Sequence, residues 1–423
     1  MQRPESTSAS PDAPHGRIGP AGLDQACRAW ESAGDEGPLR LWLAAELDYD
    51  GSPRHLPVEE WGPCVDRLAR ASRARLGWSN WVRTRAGGLF QWAVHGSRPD
   101  GSQVFGIPGK DPARTRALAD AAVLATEPGL ASVLGRWFPA AFPGRRRPAP
   151  PPPAAISDND RVLAVLRPDW DDRGAWVAVD HRTRGQAGRL ELAADGRPWL
   201  LGPWHHEGLS GPDVPPRPTR WETGPDAESL EWTFRAGPLK VTRTVVLLGD
   251  QEVALLAQQE DGPGPSPTSV LRVPLAVGVS GVPVADLRAL ELERPRSTAR
   301  LIPLSLPALP YPTDRGSFAI EGGDAVLRHT STARRRWLPL VFSWGRPPTG
   351  WRTLTVTEKS QVCPPDVAFA ARISWGTGKE GLLIYRSLGR PALRAFLGHQ
   401  TRARFLIGKF SPEGDVEPLL AID

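Results

Sequence analysis

The sequence predicts an α+β protein: a small α-rich N-terminal domain followed by a large antiparallel β-sandwich of the supersandwich kind. Three observations predict it. Near residue 156 the apolar pattern changes from helical spacing to period two. A proline run, Pro148-Ala-Pro-Pro-Pro-Pro153, stands at that change. Glycine and proline number 43 and 46 among 423 residues, and beyond the run they punctuate many short apolar segments.

Residues 1–20 are polar and rich in Pro, Gly and Ser, the composition of a disordered tail. Residues 21–143 read as an α-rich domain with a β-hairpin. Leu23 to Trp30 and Leu39 to Leu47 are apolar segments of helical length. Pro63 suits the first turn of a helix carrying Val65, Leu68, Ser72 and Leu76 on one face. Asp111-Pro112 supplies an N-cap acid and a proline at the first helical position, ahead of Leu118, Ala121, Ala122 and Ala125. Pro128-Gly129 breaks that helix, and a short one with Leu130, Val133, Leu134, Trp137 and Phe138 follows. Leu89 to Gly96 and Ser102 to Gly106 read as the two arms of a hairpin turning near Asp100-Gly101.

Residues 144–156 form a stiff polyproline linker. Residues 157–423 form the sandwich. Leu230, Trp232 and Phe234 alternate with Glu231, Thr233 and Arg235, as in a half-buried strand. Val367 to Trp375 alternates in the same way. Strand-like runs recur at 162–167, 175–181, 188–193, 239–248, 252–258, 269–276, 299–306, 337–344, 353–358, 381–386, 403–408 and 416–422. That is too many strands for a seven-stranded sandwich, and stacked antiparallel sheets accommodate them.

Composition narrows the function classes. The net charge of +5 comes from 52 basic and 47 acidic residues, mostly interleaved. Arg145-Arg-Arg147 and Arg334-Arg-Arg336 are short runs at a linker and a strand edge, so no nucleic-acid partner is expected. Cys27, Cys64 and Cys363 are far apart and odd in number, which excludes a disulfide framework and a cysteine zinc site. The first residues lack an apolar signal-peptide core, and no apolar run reaches the ~20 residues of a membrane helix. The expectation is a cytoplasmic chain with no membrane association. The sequence is silent on oligomeric state.

Candidate chemistry concentrates between Asp169 and Glu207. Trp170, Trp176, Trp199 and Trp204 are candidates for a sugar-stacking platform, set against core packing. Asp169, Asp171 and Asp172 fit paired carboxylates for glycoside hydrolysis, or plain turn chemistry. In His205-His206-Glu207 an extended backbone turns His205 and Glu207 to one side and His206 to the other. Two ligands do not make a zinc site, so no metal is expected and His205 is kept as a binding candidate. His399 and Arg402 lie near the last turn and suit an anionic ligand. Gly376-Thr-Gly-Lys379 lacks the spacing of a phosphate loop. No cofactor is expected. His95 reads as a structural strand histidine.

A helical N-terminal part followed by a long β-sandwich resembles the heparinase II/III group of polysaccharide lyases. The resemblance covers roughly residues 160–260. Val162-Leu-Ala-Val-Leu-Arg-Pro-Asp-Trp170 is similar to that family's first sandwich strand and Trp176-Val-Ala-Val-Asp180 to its second. Arg189-Leu-Glu-Leu192 with Gly196-Arg-Pro-Trp199 is similar to the following pair. Leu239 to Leu248 with Val253 to Ala257 is similar to a further hairpin, which in the family often carries a basic residue. Where the family has a Gly-His-x-His-like segment, this chain reads His181-Arg-Thr-Arg-Gly-Gln-Ala-Gly188, and His181 alone stands in for it.

The resemblance implies binding of, or β-elimination on, an anionic polysaccharide. Elimination needs a cation or amide on the uronate carboxylate, a base for the C5 proton and an acid for the leaving oxygen. The candidates are Arg243, His181 and Tyr385. Arg243 shares its face with Leu239, Val241, Val245 and Leu247, and a charge on an apolar face needs a partner: a substrate carboxylate or an internal acid. The alternative function is a non-catalytic sandwich for protein–protein interaction or scaffolding.

Overall fold

The computed structural model describes residues 19–142, 149–209, 211–263, 267–309, 316–376, 380–411 and 415–423. It divides into two compact units, residues 1–102 with 109–152, and residues 103–108 with 153–423.

The first unit is helical: α1 (Gly19–Ala33), α2 (Gly37–Glu46), α3 (Trp61–Ala74), α4 (Asn80–His95), α5 (Pro112–Ala121) and α6 (Pro128–Trp137). The Asp111 carboxylate caps α5 by accepting from the Arg114 amide at 2.9 Å, as its position before Pro112 predicts. Proline also starts α6, so Pro128 opens a helix as well as separating two. Along α3 the buried stripe is Cys64, Val65, Leu68 and Ala69. Leu76 lies past the end of α3 and is 89% exposed.

The expected hairpin at 89–106 is corrected. Leu89 to His95 is the second half of α4, whose N-cap Ser79 accepts from the Val82 amide. Val82, Ala86, Leu89, Phe90 and Ala93 are buried at helical spacing. The window from Leu89 onward hides that spacing behind aromatic and β-branched residues. Gly88 lets α4 approach another backbone, since a Cβ there would stand 1.9 Å from the Asp50 carbonyl oxygen. The other expected arm belongs to the second unit: the Phe105 amide donates to Glu191 Oε2 at 2.6 Å, and Arg189 Nη2 donates to the Phe105 carbonyl at 3.0 Å. His95, expected on a strand, ends α4 and is buried. Residues 1–18 and 143–148, most of the expected tail and the first five residues of the expected linker, lie outside the described residues. Pro150 packs on Gly129 within the first unit.

The second unit is a stack of antiparallel sheets, the α+β arrangement with a large sandwich that the sequence predicts. The first sheet has eight strands in the order Ile156–Ser157, Leu163–Leu166, Trp176–Asp180, Gly188–Ala194, Arg197–His206, Thr268–Pro274, Asp324–Thr330 and Gly316–Glu321. The second also has eight: Ser280–Pro283, Leu290–Arg294, Ser297–Pro303, Arg335–Ser343, Val253–Asp261, Leu239–Leu248, Glu228–Ala236 and Arg217–Thr223. A five-stranded third sheet (Gly350–Thr353, Ala368–Trp375, Glu380–Ser387, Phe405–Phe410, Val416–Ile422) and a small fourth one complete the stack. The fourth holds Gln361–Val362, Thr357–Glu358, Arg394–Phe396 and His399–Thr401.

Three apolar layers hold the sheets. Leu166, Val177, Leu192, Trp199 and Trp204 of the first sheet meet Leu230, Trp232, Val241, Val245 and Leu256 of the second. On the other face of the second sheet, Val246, Leu248, Val253 and Leu255 meet Ile373, Ile384 and Ile407 of the third. Ala370, Leu383, Tyr385 and Phe396 make the third layer. The second sheet is thus covered on both faces. This is why Val245-Val246-Leu247-Leu248 reads as a continuous apolar run instead of an alternation. No helix among the described residues is long and apolar enough to cross a membrane.

Candidate functional site

Period two places Leu239, Val241, Arg243, Val245 and Leu247 on the face of the second sheet that meets the first. Four of the five enter the apolar layer. Arg243 enters the same layer as a guanidinium, 3% exposed. Its Nε donates to Gln258 Oε1 at 3.0 Å, and Gln258 is its neighbour across the ladder. The guanidinium carbon lies 4.7 Å from the centroid of the Trp204 ring and 5.4 Å from that of Phe234. Its Nη1 is buried and has no hydrogen-bond partner among the described residues. Burial pushes the guanidinium down to about 9, against the pull of the Glu260 charge.

Arg243 opens onto a cavity of about 280 Å³ between the two large sheets. His181, Trp204, His205, His206 and Phe234 line it with Arg243, and two loops close over it through Gln186, Leu209 and Pro212. The loops touch backbone to backbone: the Gly185 amide donates to the Pro212 carbonyl at 3.0 Å. Gly211 has no space for a side chain, since a Cβ would meet the Gly185 carbonyl carbon at 2.3 Å.

A chain of buried polar groups runs behind Arg243. Gln258 Nε2 donates to Glu260 Oε1 at 3.1 Å, and the Ser269 hydroxyl donates to Glu260 Oε2 at 2.7 Å. Arg336 Nη2 lies 2.9 Å from Glu260 Oε2. His206 Nε2 lies 2.7 Å from Glu260 Oε1, off the hydrogen-bond line. Burial alone would raise the Glu260 carboxyl; His206 and Arg336 outweigh it and hold it below the ordinary carboxylate value. The internal acid that the sequence offered as the partner of Arg243 therefore exists. It stands one residue removed, behind Gln258, and serves Arg336 and His206 first.

His181 is beside Arg243, as the sequence reading requires, but its ring is occupied. Trp232 Nε1 donates to Nδ1 at 3.1 Å, and Nε2 lies 3.2 Å from the Gln186 carbonyl oxygen. Nδ1 accepts, so Nε2 carries the hydrogen and donates it to Gln186. Burial and the Arg243 charge push the imidazole down to about 3. Held this way, the ring has no free nitrogen with which to take a proton. It ties the loop at Gln186 to Trp232.

The other candidates separate. Tyr385 is not brought to the cavity: it is fully buried in the third apolar layer, stacks on Phe396 at 4.9 Å, and receives Arg394 Nη1 at 3.1 Å. The idea of His181, Arg243 and Tyr385 as one constellation is corrected on that point. Trp170, Trp176 and Trp199 are buried and do not line the cavity. The Arg167 guanidinium lies 5.3 Å from both Trp170 and Trp176, Trp176 donates to Glu191 Oε1 at 3.1 Å, and Trp199 packs 5.9 Å from Phe342 with Arg294 over its ring. The sugar-stacking platform is not formed, because the sandwich uses these rings as core. Trp204 lines the cavity but is buried, with its ring under Arg243 and edge-on to Trp232.

His205 is exposed on the cavity wall, and its neighbours follow the expected alternation: His206 is buried, while Glu207 is exposed and paired with Arg272. His399 lies on the outer fourth sheet, 5.6 Å from Phe396, and Arg402 is exposed just beyond that strand. Neither lines the cavity. Asp169 and Asp171 accept from the Asp171 and Arg173 amides, which is turn chemistry. Residues 377–379 of the Gly376 segment lie outside the described residues.

The sequence reading turned His206 away from its site, gave Trp232 only a strand role, and did not weigh Gln258 or Glu260. One signal pointed to two of them. Ala254, Leu256, Gln258 and Glu260 share a face at period two, and the two polar residues on that apolar face stand opposite Arg243 and Val241 in the ladder.

No protein-family model matches this chain, and no curated protein matches it. Among solved structures it is similar to heparan sulfate lyase HepC from Pedobacter heparinus, with a TM-score of 0.63 at 12% identity over 87% of this chain. The match covers 65% of that lyase, so the chain spans less than two thirds of its length. At this identity the likeness shows a shared fold. A second structure, the Slr1438 protein from Synechocystis sp. PCC 6803, matches 44% of this chain with a TM-score of 0.28, which carries no argument.

Proposed function

We propose that this chain binds an anionic polysaccharide through the cavity at Arg243. The observation that carries the reading is the Arg243 guanidinium, 3% exposed, set in a cavity, with Nη1 unpartnered among the described residues and no carboxylate in direct contact. A buried cation is costly unless paired, and a ligand carboxylate or sulfate would complete it. The charge is fixed in place by Gln258 and by the rings of Trp204 and Phe234, so little ordering is left to do when an anion arrives. The fold shared with a heparan sulfate lyase supports a polysaccharide as the source of that anion.

A second reading, elimination on the bound uronate, is favoured by exposed His205 on the cavity wall, an imidazole outside the hydrogen bonds that hold His181. One experiment tests both. The full chain is titrated calorimetrically with a panel of uronate polysaccharides while ultraviolet absorbance is followed for an unsaturated product. Binding by the wild type that drops at least tenfold in Arg243→Gln, without growing absorbance, is the expected result. Absorbance that grows and is lost in His205→Ala installs the elimination reading. Absence of binding across the panel removes both and leaves the scaffold function.

A further inference from the structure

His206, which lines the Arg243 cavity, is buried and has neither ring nitrogen hydrogen-bonded among the described residues. Its Nε2 lies 2.7 Å from Glu260 Oε1, within ion-pair reach of that carboxylate. Nε2 therefore faces Glu260, and Nδ1 is the nitrogen left over. A sugar hydroxyl both donates and accepts, so it satisfies Nδ1 with or without its proton; a sulfate or phosphate oxygen only accepts.

Size gives the next constraint. About 280 Å³ is at the lower edge of the ~300–1,000 Å³ range of small-molecule sites, enough for one sugar ring and too little for a run of them. The aromatic faces that could extend the site are in use, since the guanidinium covers Trp204 and Phe234. Leu209 and Pro212 close the wall with apolar surface.

We propose that the cavity takes a single hexuronate residue, as a chain end or the free acid, with its carboxylate on Arg243 Nη1 and a ring hydroxyl on His206 Nδ1. The proposal rests on the anion-binding reading above and adds the unit recognised. Interior residues of a polymer carry a glycosidic bond on both sides. A terminal residue carries one, and it fits a pocket this small with its carboxylate on Arg243.

The test is a ligand series on the full chain, read by calorimetry or ligand-observed NMR. It comprises glucose, methyl glucuronide, unsulfated glucuronate oligosaccharides of increasing length, and dextran sulfate. Methyl glucuronide is expected to bind and glucose not. Affinity per chain end is expected to change less than about threefold with length, and dextran sulfate to bind at least tenfold more weakly. His206→Phe, checked for folding by its thermal transition, is expected to lose about tenfold for methyl glucuronide, the worth of one hydrogen bond, and His206→Gln to recover part of it.

Affinity that climbs more than tenfold with length, dextran sulfate bound as tightly as the uronates, or a folded His206→Phe that binds like the wild type overturns the single-residue site and leaves the Arg243 reading standing. Failure of every uronate to bind the wild type overturns both. Should His206→Phe fail to fold, the length series on the wild type still decides.

Discussion

The indole N–H of Trp232 meets Nδ1 of His181 at 3.1 Å, and this one hydrogen bond determines what His181 can do. It joins the second sheet to the segment that follows the third strand of the first sheet. It also fixes the tautomer, so that Nε2–H is free to hold the Gln186 carbonyl and with it one of the loops over the cavity.

Trp232→Phe keeps an aromatic ring but removes the N–H donor and part of the buried indole surface. The buried Nδ1 is left unsatisfied, and the variant is expected to lose about 1–3 kcal/mol of stability in urea denaturation. Nitrogen-15 chemical shifts of His181 in the wild type are expected to show the Nε2–H tautomer, neutral down to about pH 4, since burial holds the ring near 3. A Nδ1–H signal in the folded wild type would show that the Trp232 bond is not made.

Glu231 lies on the other face of the second sheet and takes charge from the third. Arg386 Nη2 is 2.6 Å from its Oε2, Arg404 Nη2 is 3.1 Å from its Oε1, and the Thr244 hydroxyl donates to Oε2 at 3.2 Å. Arg386 and Glu231 are both buried. Arg386→Met is expected to cost about 1–3 kcal/mol because it leaves the buried carboxylate with only the half-exposed Arg404 and the Thr244 hydroxyl, while Arg386→Met with Glu231→Leu costs less than the single change. A double variant no more stable than Arg386→Met in chemical denaturation would show that the pair is not coupled.

Two buried groups give stability opposite slopes with pH. Burial raises the Glu228 carboxyl to about 7, against the opposing charge of Arg167. A raised acid binds its proton in the folded state first, so its stabilisation is full below pH ~4.5 and is lost as pH rises through 7. His181 is depressed from 6.5 to about 3. The unfolded chain takes that proton first, so stability is full above pH ~6.5 and is lost as pH falls toward 3. Glu228→Gln is therefore expected to melt above the wild type at pH 8, with the gain shrinking toward pH 4.5. Thermal melts of both proteins across this range test it; a gain that is constant with pH would contradict a raised Glu228.

Arg243 was legible as an anomaly because period two put a cation among four aliphatic residues. The strand itself, Leu239–Leu248, has the bounds its apolar run suggests. The α4 helix was less legible. Its aromatic and β-branched second half looks like a strand when read from Leu89, and the helical spacing emerges only when Val82 and Ala86 are counted with it. The tryptophans misled for another reason. A large ring flanked by acids fits a sugar platform and a sheet-to-sheet core equally well until its neighbours are known, and Arg167, Phe342 and Trp232 are those neighbours.

By itself the sequence determined the fold class, most strand positions and the face on which Arg243 sits, because all three follow from the period of side chains along a single backbone. The tertiary structure decided what Arg243 faces. Glu260 stands behind Gln258, His206 lines the cavity beside Glu260, and Tyr385 lies in another layer. These relations join residues far apart in the chain, and no local pattern encodes the distance between two sheets.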